Sequence, residues 1–127
     1  MTLYVDPRAI VHPTAKLADG VNIGPFAIIG EEVTVGHNVI VHGATVHDGA
    51  LVGMGSILLD NSVIGSQAII GAGTIVPPRM VVPADSMVRG QPGRVIRELS
   101  EHERLEGRRG ALHYLELAAE HAKLSGK

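Results

Sequence analysis

The chain has 127 residues, a net charge of −2 and a pI near 6.4, with no cysteine and three aromatic residues, Tyr4, Phe26 and Tyr114. That length supports one domain, and with neither a basic stripe nor a stacking platform the composition argues against a nucleic-acid partner. No apolar run reaches membrane-spanning length and no leader pattern opens the chain, so the expectation is a cytoplasmic protein, which the absence of cysteine fits.

Fifteen positions, six apart, are all Val, Ile or Leu: Val5, Val11, Leu17, Ile23, Ile29, Val35, Val41, then after one five-residue step Val46, Val52, Leu58, Ile64, Ile70, Val76, Val82 and Val88. A second column, four residues after each, is almost entirely small or β-branched, as at Ala15, Val21, Ala27, Val33, Ser56 and Thr74. Alternate side chains on a strand point to opposite faces, so a large residue and the small one two before it both face inward. A corner residue then turns the chain. Gly directly follows the large residue at positions 24, 30, 36, 53, 65 and 71, where its tolerance of unusual backbone angles suits a corner. Three such sides close a coil of about eighteen residues, and stacked coils share one core. The period is the hexapeptide repeat of an all-β solenoid, a left-handed parallel β-helix of about five triangular coils over about residues 4–92.

The residues just before the inward column point outward, yet Ile10, Ile28, Ile40, Leu51, Ile57, Val63, Ile69, Ile75, Val81 and Met87 are apolar. So much contiguous apolar surface favours association. A C-terminal helix is expected to cover part of it and other subunits the rest, which makes a homo-oligomer.

Half of the 24 charged side chains lie in the last 31 residues, so the composition changes where the coil ends, near residues 94–99. Ser100 with Glu103 three residues on is a capping-box signature. Leu105, Leu112, Leu115, Ala119 and Ala122 then share a helical stripe, which predicts a C-terminal α-helix over about residues 100–124, packed along the coil and interrupted near Gly107 and Gly110. Arg108 and Arg109 read as a solvated face.

Among seven histidines, His37 and His42 fall on successive sides of one coil. Five extended residues span up to about 16 Å, so within one chain the two do not readily share a metal ion. In a cyclic trimer, His37 of one chain could meet His42 of the next. Spacing alone also allows two unrelated surface histidines.

The stretch 33–46, VTVGHNVIVHGATV, resembles the histidine signature of γ-class carbonic anhydrases; LVGMGSILLD at 51–60 resembles the next coil of that family, and GQPGRVIRELS at 90–100 its coil-to-helix junction, with Gly93 where Ala is usual. The tail is most similar to the branch that includes proteins of phenylacetate catabolism. The resemblance implies a homotrimer with zinc or iron at each interface and a metal-bound hydroxide that hydrates CO2 to bicarbonate. It implies His37 and His42 as ligands from neighbouring subunits. The third ligand position aligns with Gly24, and Ala18 stands for a glutamine, whereas Asp19 matches a group that orients the ligands. About two upstream coils and an Arg-Gly-Asp segment are absent. His12 and His47 fit the vacant position poorly, and His102, His113 and His121 fall on the helix. The resemblance therefore implies a degraded site whose hydration activity is weak or lost.

Two alternatives stand beside it. The segments IVHPTA at 10–15 and IGPFAIIG at 23–30 resemble the opening of lipid A acyltransferases, and His47–Asp48 is then a candidate general base for acyl transfer or thioester hydrolysis. No long looped insertion and no coenzyme A motif accompanies it. The other alternative is a non-catalytic trimeric scaffold.

Overall fold

A computed structural model of the chain describes residues 2–105. The repeat folds into a left-handed parallel solenoid of five coils with three flat faces. The first face stacks Tyr4–Val5, Asn22–Ile23, Ile40–Val41, Ile57–Leu58 and Ile75–Val76; the second stacks Ile10–Val11, Ile28–Ile29, Thr45–Val46, Val63–Ile64 and Val81–Val82. The third holds Lys16–Leu17, Thr34–Val35, Leu51–Val52, Ile69–Ile70, Ser86–Gly90 and a closing strand, Gly93–Glu98. Strands pair at a spacing of 18 residues, which drops to 17 wherever the five-residue step between Val41 and Val46 is crossed, as in Ile28↔Thr45, Thr34↔Leu51 and Ile40↔Ile57. The step therefore removes one corner residue and leaves the ladder intact.

The inward column is the core: Ile23, Ile29, Val35, Val41, Val46, Val52, Leu58, Ile64, Ile70, Val76, Val82 and Val88 are all buried. The small column fills the space between them. Its hydroxyls are buried but bonded: Ser62 Oγ donates to the Leu59 carbonyl at 2.8 Å, Thr74 Oγ1 to Gly71 at 2.7 Å and Ser86 Oγ to Pro83 at 2.7 Å. Small polar residues are tolerated inside because their hydroxyls find carbonyls, those of Ser62, Thr74 and Ser86 at their own corners and that of Ser56 at Gly71 on the next coil, 3.0 Å away.

The corners work differently from the sequence expectation. The glycines directly after the large residues do not adopt positive φ; the left-handed residue is the third one after. From the third side on it is Gly20, Phe26, Glu32, Asn38, Gly49, Gly55, Asn61, Gln67, Gly73, Arg79 and Asp85 in turn, interrupted at the side after Val41, which is one residue short. The earlier glycines answer a need for space. At Gly65 a Cβ would stand 2.7 Å from the Val82 carbonyl oxygen and the Pro83 carbonyl carbon, both backbone atoms of the coil above.

The outward aliphatic residues separate by face. On the third face Leu51, Ile69 and Met87 are at most 2% exposed and cluster with Leu99. On the first face Ile40, Ile57 and Ile75 are half-buried. The second face is open, with Ile10 66% and Val81 67% exposed.

At the first coil, Asp6 accepts from the Arg8 backbone N–H at 2.8 Å, from Arg8 Nε at 3.0 Å and from Tyr4 Oη at 3.2 Å, and the Arg8 bonds hold its carboxyl down to about 2. The Arg8 guanidinium sits 5.4 Å from the Phe26 ring centre, a cation–π distance. At the other end the solenoid closes with an antiparallel strand, which the repeat did not predict: Gly93–Glu98 folds back on Ser86–Gly90. The capping box forms in both directions, Ser100 N–H donating to Glu103 Oε1 at 2.9 Å and Glu103 N–H to Ser100 Oγ at 3.1 Å, and helix runs over 101–105. Arg97 Nη2 bonds Glu103 Oε2 at 2.7 Å. The rest of the expected helix, with Arg108, Arg109, His113, Tyr114 and His121, lies outside the described residues. Among the described residues no helix is long and apolar enough to cross a membrane.

Two glycines separate space from conformation. Gly65→Ala is expected to lower stability by about 1–3 kcal/mol through overpacking, whereas Gly73→Asn, at φ 69° with open space where a Cβ would be, should stay within about 1 kcal/mol of the natural chain because Asn tolerates this region. Urea unfolding compares them. Arg97, then Ser100, holds the Glu103 carboxyl at about 2, below its ordinary 4.5. A lowered acid pKa stabilises above the ordinary value and loses that contribution as pH falls through the folded one. The melting-temperature gap between the natural chain and Glu103→Gln should therefore shrink between pH 4.5 and about 2.

Candidate functional site

Three of the histidines mark one level of the solenoid. Side by side along the chain, His37 sits where the third face turns into the first, His42 where the first turns into the second, and His47 where the second turns into the third. All three are exposed. The ladder fixes what stands above and below each, because residues at equivalent corner positions stack coil on coil.

His37 follows Asp19 in its column: the Asn38 N–H donates to the Asp19 carbonyl at 3.1 Å and the Gly55 N–H to the His37 carbonyl at 2.9 Å, which puts Met54 on the coil above. His42 stands over Gly24, whose N–H donates to Val41 at 2.7 Å and whose absent Cβ would lie 3.7 Å from the His42 Cα. Gly24 thus lies one coil beneath His42, and Asp19 one coil beneath His37. His42 also begins the shortened corner. The Ala44 N–H turns back to the His42 carbonyl, and the Gly43 N–H donates to Asp60 Oδ1 at 2.9 Å from the coil above.

His47 stands between two glycines. The pairings Ile29↔Val46 and Ile64↔Val46 place Gly30 below it and Gly65 above it, so the equivalent corner position of neither coil carries a side chain. Its neighbour Asp48 is fixed: Oδ1 accepts the Glu31 N–H of the coil below at 2.8 Å, across the space that Gly30 leaves. The same edge carries a polar ladder. The Thr14 N–H donates to His12 Nδ1 at 3.1 Å, His12 Nε2 lies 3.6 Å from Glu31 Oε1, and the Glu32 N–H donates to Thr14 Oγ1 at 2.9 Å. His12 is therefore tied into the first corners, while His47 stays open. Sequence reading singled out His47 only through its neighbour Asp48; the two flanking glycines, set 17 and 18 residues away, were the signal for its openness.

The histidine pair that the resemblance gives as metal ligands does not come together within one chain. His37 and His42 occupy the two ends of the first face, and among the described residues no three His, Asp or Glu side chains come together as a metal would require. The one position that could complete a set beneath His42 is a glycine.

Comparison with known proteins gives one family match and several likenesses. Residues 5–97 match the family described as the GMPPB C-terminal domain. A 28-residue segment is 61% identical to an acyl-[acyl-carrier-protein]–UDP-N-acetylglucosamine O-acyltransferase of Pseudomonas putida, covering 22% of this chain and 11% of that enzyme's length. In overall fold the chain is similar to a provisionally assigned acetyltransferase of Bacillus cereus, at 27% identity and a TM-score of 0.63, over 96% of this chain and 92% of that one. It is also similar to a serine acetyltransferase in complex with CoA, at 25% identity and a TM-score of 0.67, over 74% of this chain and 41% of that one.

Asp48→Ala leaves the Glu31 N–H without its carboxylate. Stability is expected to fall by about 1 kcal/mol, the loss for one hydrogen bond at an exposed corner, while Asp48→Asn should recover most of it. Chemical denaturation of the two variants checks this.

Proposed function

Since the chain belongs to the GMPPB C-terminal domain family and folds as a hexapeptide-repeat solenoid, we propose that it is an acyltransferase that moves an acyl group from a thioester onto a hydroxyl or amine. The observation that carries this reading is His47, an exposed imidazole bracketed by two glycines beside a fixed carboxylate. A neutral imidazole there takes the proton from the acceptor's O–H or N–H as that atom attacks the thioester carbonyl. The new C–O or C–N bond forms, the tetrahedral intermediate collapses, the C–S bond breaks, and the thiolate takes the proton back from the imidazolium. Asp48 supplies a fixed negative charge next to the imidazolium. The acyltransferase and acetyltransferase names of the relatives support the donor class.

The assembly is a homotrimer in this reading. The third face is covered by the chain's own Leu99, so neighbouring chains meet the first face and the second, where Ile10, Ile28 and Val81 stand exposed. The corner histidines of the third coil then lie at the edges of those contacts.

A second reading keeps the carbonic-anhydrase resemblance. It is favoured by Asp19 beneath His37 and by the matching level of His37 and His42, which neighbouring chains could bring together around zinc or iron. The donors present do not fit a catalytic zinc, which takes three protein ligands, because the third position is Gly24. A trimer with neither activity would be a scaffold.

Thiol release from acetyl-CoA or an acylated carrier protein, with L-serine and UDP-N-acetylglucosamine as trial acceptors, tests the first reading. Consumption above the buffer rate is expected, falling about 100-fold or more in His47→Ala. Activity that survives His47→Ala removes the residue from the mechanism. No thioester consumption, with stoichiometric metal lost in His42→Ala, would favour the second reading.

A further inference from the structure

The closing hairpin holds two like charges directly against each other. Arg89 and Arg94 are opposed across the antiparallel pair of Ser86–Gly90 with Gly93–Glu98, and both are exposed. Side chains so opposed leave the same side of a sheet with Cβ atoms about 5 Å apart, where like charges repel. Several carboxylates are paired elsewhere: Asp6 with Arg8, Glu31 with His12, Glu32 with Lys16, Glu103 with Arg97 and Asp85 with Arg104. Among the described residues no carboxylate pairs with Arg89 or Arg94. Glu98 belongs to the same strand, but it lies opposite Ser86, about 13 Å along the strand from Arg94 at 3.3 Å per residue.

The surroundings leave the pair accessible and fix it in place. The Arg89 stem lies across Gly71, its Cγ 2.9 Å from where a Cβ would be, so a side chain at 71 would displace it. The hairpin tip is flanked by Gly90, at φ 108°, and Gly93, which bring no side chain near the two guanidinium groups. Gln91 Nε2 donates to the Gly73 carbonyl at 2.8 Å and pins the tip to the coil below.

Guanidinium is planar, permanently charged and weakly hydrated, and its fork matches phosphate oxygens two at a time. Two of them side by side on a pinned, bare hairpin suit a ligand with two adjoining phosphoryl groups. We propose that Arg89 and Arg94 hold a diphosphate-bearing small molecule by its phosphates. A single pair on a chain of net charge −2 is too small a basic surface for a polynucleotide. The diphosphate could belong to coenzyme A or to a nucleoside diphosphate. The site rests on the hairpin and does not depend on acyl transfer.

Titration calorimetry on the full chain, with sodium pyrophosphate, coenzyme A and UDP as probes, tests this. Arg89→Gln/Arg94→Gln is compared with the natural protein, and Arg79→Gln, an exposed arginine on another edge, controls for net charge. At least one probe should bind, about tenfold or more weakly in the double variant and unchanged in Arg79→Gln, with affinity falling as salt rises. The double variant should melt no lower than the natural chain, since it loses a repulsion. Coenzyme A as the tighter ligand identifies a thioester donor, and UDP identifies a nucleotide-linked substrate. Absence of binding by all three probes, or an equal loss in Arg79→Gln, overturns the proposal. Arginine-dependent pyrophosphate binding without thioester consumption would leave this site standing and remove the acyl-transfer reading alone.

Discussion

Everything in this molecule depends on keeping one aliphatic column in register from coil to coil. A parallel ladder with side chains alternating in and out allows no half-measures, because a slip of one residue would turn the whole column outward. That constraint explains why the single five-residue step falls in a corner and not in a strand. The residue removed is the left-handed one after Val41, in a corner that, like the others, lies between the paired strands. It also explains why small residues recur at the corners. Each coil must approach the next closely enough for backbone bonds of about 2.9 Å, as between the His47 N–H and the Ile64 carbonyl. Any extra carbon at a corner such as Gly65 competes with that approach.

The fold was legible because its signal is redundant. Fifteen aliphatic positions at one period tolerate ambiguity at any single site, so coil number, core column and capping box all followed from the sequence. The corner chemistry was less legible. Gly is informative as a residue type but does not say whether space or a positive φ required it, and here the two needs fall on different positions. The closing strand was hidden for another reason. Gly93–Glu98 carries neither the six-residue period nor a simple alternation, because its ladder shifts between Met87 and Val88. Which outward aliphatic residues are covered could not be read at all. Leu51 and Ile10 look alike in sequence, and only the return of Leu99 over the third face separates them.

The candidate site shows the same division. Corner positions of His37, His42 and His47 followed from counting, and so did the glycine beneath His42. What counting could not supply was the comparison among them. Each histidine is exposed, and the differences arise from residues 17 or 18 positions away: Asp19 and Met54 around His37, Gly24 below His42, Gly30 and Gly65 around His47. Chemistry at a solenoid corner is thus set by the column it stands in, and a local motif around a histidine describes only one of the three coils that matter. The opposed Arg89 and Arg94 were likewise invisible without the hairpin, since five residues of separation carry no hint of contact.

The closing strand also settles how such a molecule ends. A parallel solenoid is a template for its own continuation, because the last coil offers unpaired backbone groups to any segment able to run the same way. Gly93–Glu98 takes up the third side of that rim and reverses direction. The strand now at the boundary runs against the sense of the coils, and Pro92 beside it has no N–H to offer. A second molecule arriving to extend the stack would find one side in three already occupied and antiparallel. Polymerisation in the direction of the helix axis is thereby disfavoured at this end by the chain's own backbone, without a charge or a bulky side chain being needed for the purpose.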